Sequence, residues 1–247
     1  DMVKAKLPPG TTIDVLPRAG GVGNIKLIQG GELELGFSYP VNTAEACGGF
    51  GEFRQKQTKL RAVLGGLDTY YFGTFVARKS GVTSWEEIAE GKNRFHLLTT
   101  KAGGTGEQGV RHVLQLLGAS KESVAKKGGM IEATERSGAA EALKDGLAHG
   151  WAHIVTKGHP AATQIVTIND VLVLPLPGKV IEGMTKLGWA PAEIPANTFK
   201  GQTEPVKTVK AATNLVASAD VPDDIVYAIT RTIVENAGQL RTVHAAL

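Results

Sequence analysis

The chemistry of this chain centres on Lys101-Ala102-Gly103-Gly104-Thr105-Gly106-Glu107-Gln108-Gly109. The apolar run Arg94-Phe95-His96-Leu97-Leu98-Thr99-Thr100 precedes it, and Val110-Arg111-His112-Val113-Leu114-Gln115-Leu116-Leu117 follows. Val110, Val113, Leu114 and Leu117 recur at i, i+3, i+4 and i+7, the spacing of one buried helix face, so the stretch reads as strand, glycine loop, helix. The first amides of such a helix have no internal acceptor, and the aligned peptide dipoles favour a negative ligand there. The spacing predicts an anion site, for a carboxylate or phosphate, at Gly103, Gly104, Thr105, Gly106 and Glu107. Hydroxyls at Thr99, Thr100 and Thr105 are further donors.

Other chemistries fit these residues less well. Gly104-x-Gly106-x-x-Gly109 matches the dinucleotide fingerprint, and Glu132 supplies an acid roughly 20 residues on, which would make the chain an NAD-dependent oxidoreductase. Against this, 31 glycines make chance matches common. Leu98 also lies six positions before Gly104, too far for the tight turn that brings backbone onto a pyrophosphate. A purely structural glycine turn is the remaining alternative. His149, His153 and His159 invite a metal, but His159 lies beyond Gly158 and no carboxylate is interleaved. No G-x-S-x-G elbow occurs, and Cys47 has no cationic neighbour to lower its pKa. Neither a catalytic residue, a metal nor a cofactor is expected.

A loop of this kind must be positioned by an α/β framework, and the chain supplies one. Thr11 to Leu16 alternates like a strand, Pro17-Arg18-Ala19-Gly20-Gly21-Val22-Gly23-Asn24 is a second glycine turn, Ile25, Leu27 and Ile28 suggest a short helix, and Leu33 to Pro40 resumes a strand. The first forty residues thus repeat the central plan. Gly21, Val22 and Asn24 would offer a second set of amides, while Ser38 and Tyr39 emerge at a strand's carboxyl end, where open α/β sheets bind ligands. Val41 to Thr58 reads as a glycine-interrupted helix, and 59–66 and 70–79 as strands. Tyr70, Tyr71 and Phe72 are either core or a wall for ligand stacking. Ser84 or Thr83 caps a short helix; 129–133 is a strand, 138–146 a helix, 150–156 and 171–177 strands, and 181–187 helical. The proline-rich stretch 190–205 reads as an extended surface connection, 209–217 as a last strand, and Asp220 to Asp224 as the cap of a final amphipathic helix.

With 247 residues, 42% hydrophobic and 21% charged, the composition is that of a globular protein of one large domain or two. The net charge of +3 comes from scattered Lys and Arg, which gives no support to a nucleic-acid partner. No apolar run reaches the roughly 18 residues of a membrane helix, so stable membrane insertion is not expected. The chain opens on Asp1-Met2-Val3-Lys4, shows no signal peptide, and reads as part of a longer one.

The strand, loop and helix at 94–118 and the turn at 19–24 carry a resemblance, together with Gly158-His159-Pro160, Ile194-Pro195-Ala196-Asn197-Thr198-Phe199-Lys200-Gly201-Gln202 and Asp220-Val221-Pro222-Asp223-Asp224. The chain resembles the TAXI-type solute receptors of TRAP transporters over essentially its whole length. The resemblance implies a two-lobe, type II periplasmic-binding-protein-like α/β fold of discontinuous domains closing on a ligand in a cleft. One lobe would be 1–80 with 203–247, and the other 81–202. It implies a periplasmic or lipid-anchored monomer that binds a small organic anion, such as glutamate or 2-oxoglutarate, for membrane transporter subunits. The family's Gly-Ser-Gly-Thr-Glu loop stands here as Gly103-Gly104-Thr105-Gly106-Glu107, and its Gly-Gly-Ser-Val-x-Asn turn as Ala19-Gly20-Gly21-Val22-Gly23-Asn24. Both have glycine where the family has serine, so backbone contacts should dominate. Ser38, Tyr39, Tyr71, Thr100, Thr105 and Asn197 are the expected side-chain donors, and Arg18 the nearest fixed charge.

Overall fold

The computed structural model describes residues 2–16, 20–133 and 138–239, and the architecture is mixed α/β. The chain divides into two units, Asp1–Thr69 with Ala212–Leu247, and Tyr70–Ala211. The boundaries read from sequence, 80/81 and 202/203, lie beyond one strand and before another that both belong to the second unit's sheet.

Unit 1 contains α1 (Gly20–Gly30), β1 (Leu35–Ser38), α2 (Pro40–Gly48), β2 (Leu60–Leu64), and, after the chain returns, β10 (Asn214–Ser218) and α9 (Asp223–Glu235). Its sheet has the order β1-β10-β2, antiparallel throughout, with Ser38 opposite Asn214 and Leu64 opposite Leu215. Val22, Ile25 and Ile28 line the buried side of α1 and pack with Ala46, Phe53, Leu60 and Val216. Two sequence expectations change here. Thr11 to Leu16 joins no ladder, and Ile13, Val15 and Leu16 are exposed, because alternation only makes a strand when a neighbour supplies the hydrogen bonds. The helix expected from Val41 to Thr58 stops at Gly48, since Gly49 takes the left-handed conformation that ends it.

Unit 2 contains β3 (Tyr70–Ala77), α3 (Trp85–Ala89), β4 (His96–Thr99), α4 (Thr105–Leu116), α5 (Lys121–Lys126), β5 (Met130–Ala133) and α6 (Ala139–Lys144). It continues with β6 (Gly150–Val155), α7 (Pro160–Ile168), β7 (Val171–Val173), α8 (Gly178–Lys186), β8 (Ala190–Ile194) and β9 (Val206–Ala211). Its sheet runs β5-β4-β6-β3-β9-β8, with β7 beside β3. β5, β4 and β6 are parallel; β3 is antiparallel to β6, β9 to β3, and β8 to β9. These directions fix the two edges of the unit. The carboxyl end of β6 lies level with Tyr71, which pairs with Val155, and β4 ends on the same side with Thr99 beside Ala152, whereas Ile194 at the end of β8 pairs with Val206 at the opposite edge.

Phe75, Leu98, Trp151 and Val155 bury one face of this sheet against Leu143, Ile165 and Phe199. On the other face Phe72 packs against Trp85 and Trp189, with ring centroids 6.1 Å apart in each case. Helices α5 and α7 have no counterpart in the sequence reading. The stretch 190–205, expected as a connection, begins with strand β8. Pro191 is tolerated because β8 is an edge strand with one side free of ladder partners. The single strand expected at 209–217 is two, β9 and β10, which belong to different sheets and different units.

Candidate anion-binding site

In unit 2, β4 ends at Thr99 and α4 begins at Thr105, so five residues make the loop. Gly103 sits at φ +80°, a conformation that favours glycine. The loop closes on itself, with the Gly104 amide donating to the Lys101 carbonyl at 3.0 Å. The buried Thr100 hydroxyl then accepts from the Glu107 amide at 3.1 Å, in place of a side-chain cap at Gly104. Two of the five amides expected to face a ligand are therefore occupied by the protein. Among the described residues no hydrogen bond is made by the Thr105 or Gly106 amide, the first two of the helix. A third hydroxyl, that of Thr99, is buried in β4 with no hydrogen-bond partner among the described residues.

Gly106 presses on the His153 imidazole, and any side chain there would run into that ring and the Thr100 hydroxyl. His153 is buried, its ring 5.4 Å from Trp151 and 5.7 Å from His159. His159 in turn accepts from the Ala162 amide at 3.4 Å and caps α7. The amino ends of α4 and α7 thus meet at the carboxyl edge of β4 and β6, the edge at which open α/β sheets bind ligands. Their peptide dipoles make this edge favourable for negative charge.

The remaining expected residues distribute unevenly. Glu107 is buried and ion-paired with Lys121 of α5 at 2.5 Å, so its carboxylate serves the protein. Tyr71 shares the carboxyl edge and is half-buried against the core. Asn197 does not join this group, because it follows β8 at the opposite edge of the sheet. It takes φ +60° at the corner of a turn held by the Gln202 carboxamide, which accepts from the Thr198 amide at 3.1 Å and donates to the Pro195 carbonyl at 3.0 Å. The 194–202 segment that helps carry the resemblance therefore builds a self-contained turn.

In unit 1, Gly21, Val22, Asn24, Ser38 and Tyr39 gather where α1 begins, β1 ends and α2 begins. Asn24 Nδ2 donates to the Phe37 carbonyl at 2.8 Å, and Ser38 Oγ to the Gly21 carbonyl at 3.2 Å, so both hold α1 to β1. The Val22 side chain is core, and Tyr39 precedes the first residue of α2. Arg18 and Ala19 lie outside the described residues. The sequence reading missed Asn42, which is fully buried against Gly21 with neither end of its carboxamide hydrogen-bonded among the described residues. It missed Gln108 in the same way, and His153 and His159 figured only as metal candidates. The available signal was a polar residue on an otherwise buried helix turn.

The dinucleotide reading finds no support. Gly106 and Gly109 lie inside α4, against His153 and Phe72, and Glu132 is paired with His96 at 2.7 Å. Nearby, His149 Nδ1 accepts from the His96 amide at 2.9 Å. Burial first, then electrostatic interaction with His96 and Lys79, holds the His149 pKa below the usual histidine value.

No helix among the described residues is long and apolar enough to cross a membrane. Solved structures share the fold at low identity. The substrate-binding protein of an amino acid ABC transporter is 9% identical, with a TM-score of 0.50 over 96% of this chain and 79% of that one. MatC from Rhodopseudomonas palustris, solved with bound malate, is 12% identical, with a TM-score of 0.53 over 90% of this chain and 73% of that one. The alkanesulfonate-binding protein SsuA from Xanthomonas axonopodis pv. citri, bound to MOPS, is 14% identical, with a TM-score of 0.49 over 98% of this chain. This chain spans 65% of the length of that protein. The family model for NMT1-like proteins matches residues 2–247, so the chain belongs to the NMT1-like family, with the α/β fold of periplasmic solute-binding proteins.

Proposed function

We propose that this NMT1-like protein is an extracytoplasmic receptor that captures a small carboxylate-bearing solute, glutamate- or 2-oxoglutarate-like, for the membrane subunits of a TRAP-type secondary transporter. It acts as a monomer and by binding alone, with no bond made or broken. The observation that carries this reading is the pair of amides at Thr105 and Gly106. They open α4 beside Thr100 and His153, with no acceptor among the described residues. A carboxylate oxygen placed there receives two preorganised N–H donors and the favourable end of the helix dipole. Malate bound to MatC is consistent with an anion on this fold.

Thermal unfolding with a panel of small carboxylates, sulfonates and amines tests the assignment. A carboxylate at 100 times its dissociation constant should stabilise the protein by about 2.7 kcal/mol. Stabilisation by sulfonates or amines with none from carboxylates would overturn the ligand class. Capture of ABC permease rather than TRAP membrane subunits from detergent extracts would overturn the transporter class.

A further inference from the structure

Gln108 is the fourth residue of α4 and is 1% exposed, yet neither Nε2 nor Oε1 has a hydrogen-bond partner among the described residues. A buried carboxamide with both ends unmet is costly, and its retention calls for a reason. Its neighbours on α4 show where it points. Gly106 against His153 and Gly109 against Phe72 mark the side facing the sheet, and Glu107 with Lys121 marks the side facing α5. His112, which accepts from Trp189 Nε1 at 3.2 Å, marks a third stripe, and Gln108 and Thr105 share it. Long side chains on a helix lean back over the residues three and four positions earlier, here Thr105 and Gly104. That rule sends the Gln108 carboxamide back toward the first turn, where the Thr105 and Gly106 amides have no hydrogen-bond acceptor among the described residues.

We propose that Gln108 selects the solute, resting on the receptor reading above. Nε2 donates to the anionic group seated at the first turn of α4, and Oε1 accepts from a donor carried beside that group. A solute that meets both ends needs an acceptor and a donor close together. The ligand class thus narrows from carboxylates in general to hydroxy- or amino-substituted carboxylates.

The test is calorimetric titration of the full chain with two matched pairs, malate against succinate and glutamate against glutarate, on the wild type, Gln108→Met and Gln108→Glu. In the wild type the hydroxy or amino member of at least one pair binds about tenfold tighter or better. In Gln108→Met the two members bind alike, and Gln108→Glu, which brings a like charge to the anion, loses the acids it is given. Equal binding of both pairs by the wild type, or discrimination that survives in a folded Gln108→Met, overturns this proposal and leaves the receptor reading standing. Failure of all four acids to bind the wild type overturns both. Should the methionine variant not fold, the wild-type ratio decides alone.

Discussion

Each unit gathers helix amino ends at the carboxyl end of a strand, and the two differ in what their polar side chains do there. In unit 1, Asn24 and Ser38 bond to the backbone of β1 and α1, so the side chains nearest the glycine turn hold the turn in place. In unit 2, the Thr100 hydroxyl takes a single amide, that of Glu107, and the preceding two have no hydrogen-bond acceptor among the described residues. A serine or asparagine beside a glycine turn is thus no evidence of a ligand contact by itself. The decisive question is whether the protein's own groups reach the amides first.

The largest expected effect comes from Gly106→Val. The branched side chain meets the His153 ring and the Thr100 hydroxyl, which should cost about 1–3 kcal/mol of stability and abolish carboxylate binding, read by thermal unfolding and calorimetry. Gly21→Val in α1 meets the Asn42 and Ser38 side chains and should cost less, since Gly106→Val also meets the backbone of His153. Equal losses in the two variants would break the contrast between the units. Next in size, Glu107→Gln leaves the Lys121 ammonium without its partner and should destabilise by about 1–2 kcal/mol, discounted because Lys121 is partly exposed. Carboxylate affinity should persist, and its loss would show that the Glu107 side chain does face the ligand. Thr100→Val and Asn24→Ala should each cost about 1 kcal/mol, with solute binding weakened only by the first.

The smallest effect is a dependence on pH that unit 2 should show more than unit 1, since all five described histidines lie in unit 2. The folded pKa of His149 is held below its usual 6.5, so the unfolded chain takes up the proton first as pH falls. Its contribution is complete above that value and is lost as pH drops through the lower, folded pKa. Melting temperatures between pH 7.5 and 5 should fall less steeply in His149→Asn, whose carbonyl still accepts the His96 amide. An unchanged slope would remove His149 from the account.

Much of the framework was legible before any coordinates. Val110, Val113 and Leu114 drew α4, and Ser84, one of the two candidate caps, starts α3 by accepting from the Glu87 amide. These signals are local, and local backbone geometry enforces them. Strand β8 was hidden because Pro191 argues against a strand unless its free side faces away from the ladder, which is a property of the assembled sheet. Thr11 to Leu16 misled for the converse reason: it has the strand's pattern without a partner. Asn197 was grouped with the α4 loop because nothing local says that β8 runs antiparallel to β9 and delivers it to the other edge.

The amino-acid sequence by itself determined that residues 94–118 form a strand, a glycine loop and a helix. Periodicity and φ preferences act over a few residues, so such a unit with anion-favouring amides at its turn can be read from the letters alone. Only the tertiary structure decided which amides remain unclaimed among the described residues, that Glu107 belongs to Lys121, and that Gln108 is buried with no hydrogen-bond partner among the described residues. Those outcomes depend on which distant strand and helix arrive as neighbours, and a hydrogen bond exists only once its partner has been brought within about 3 Å.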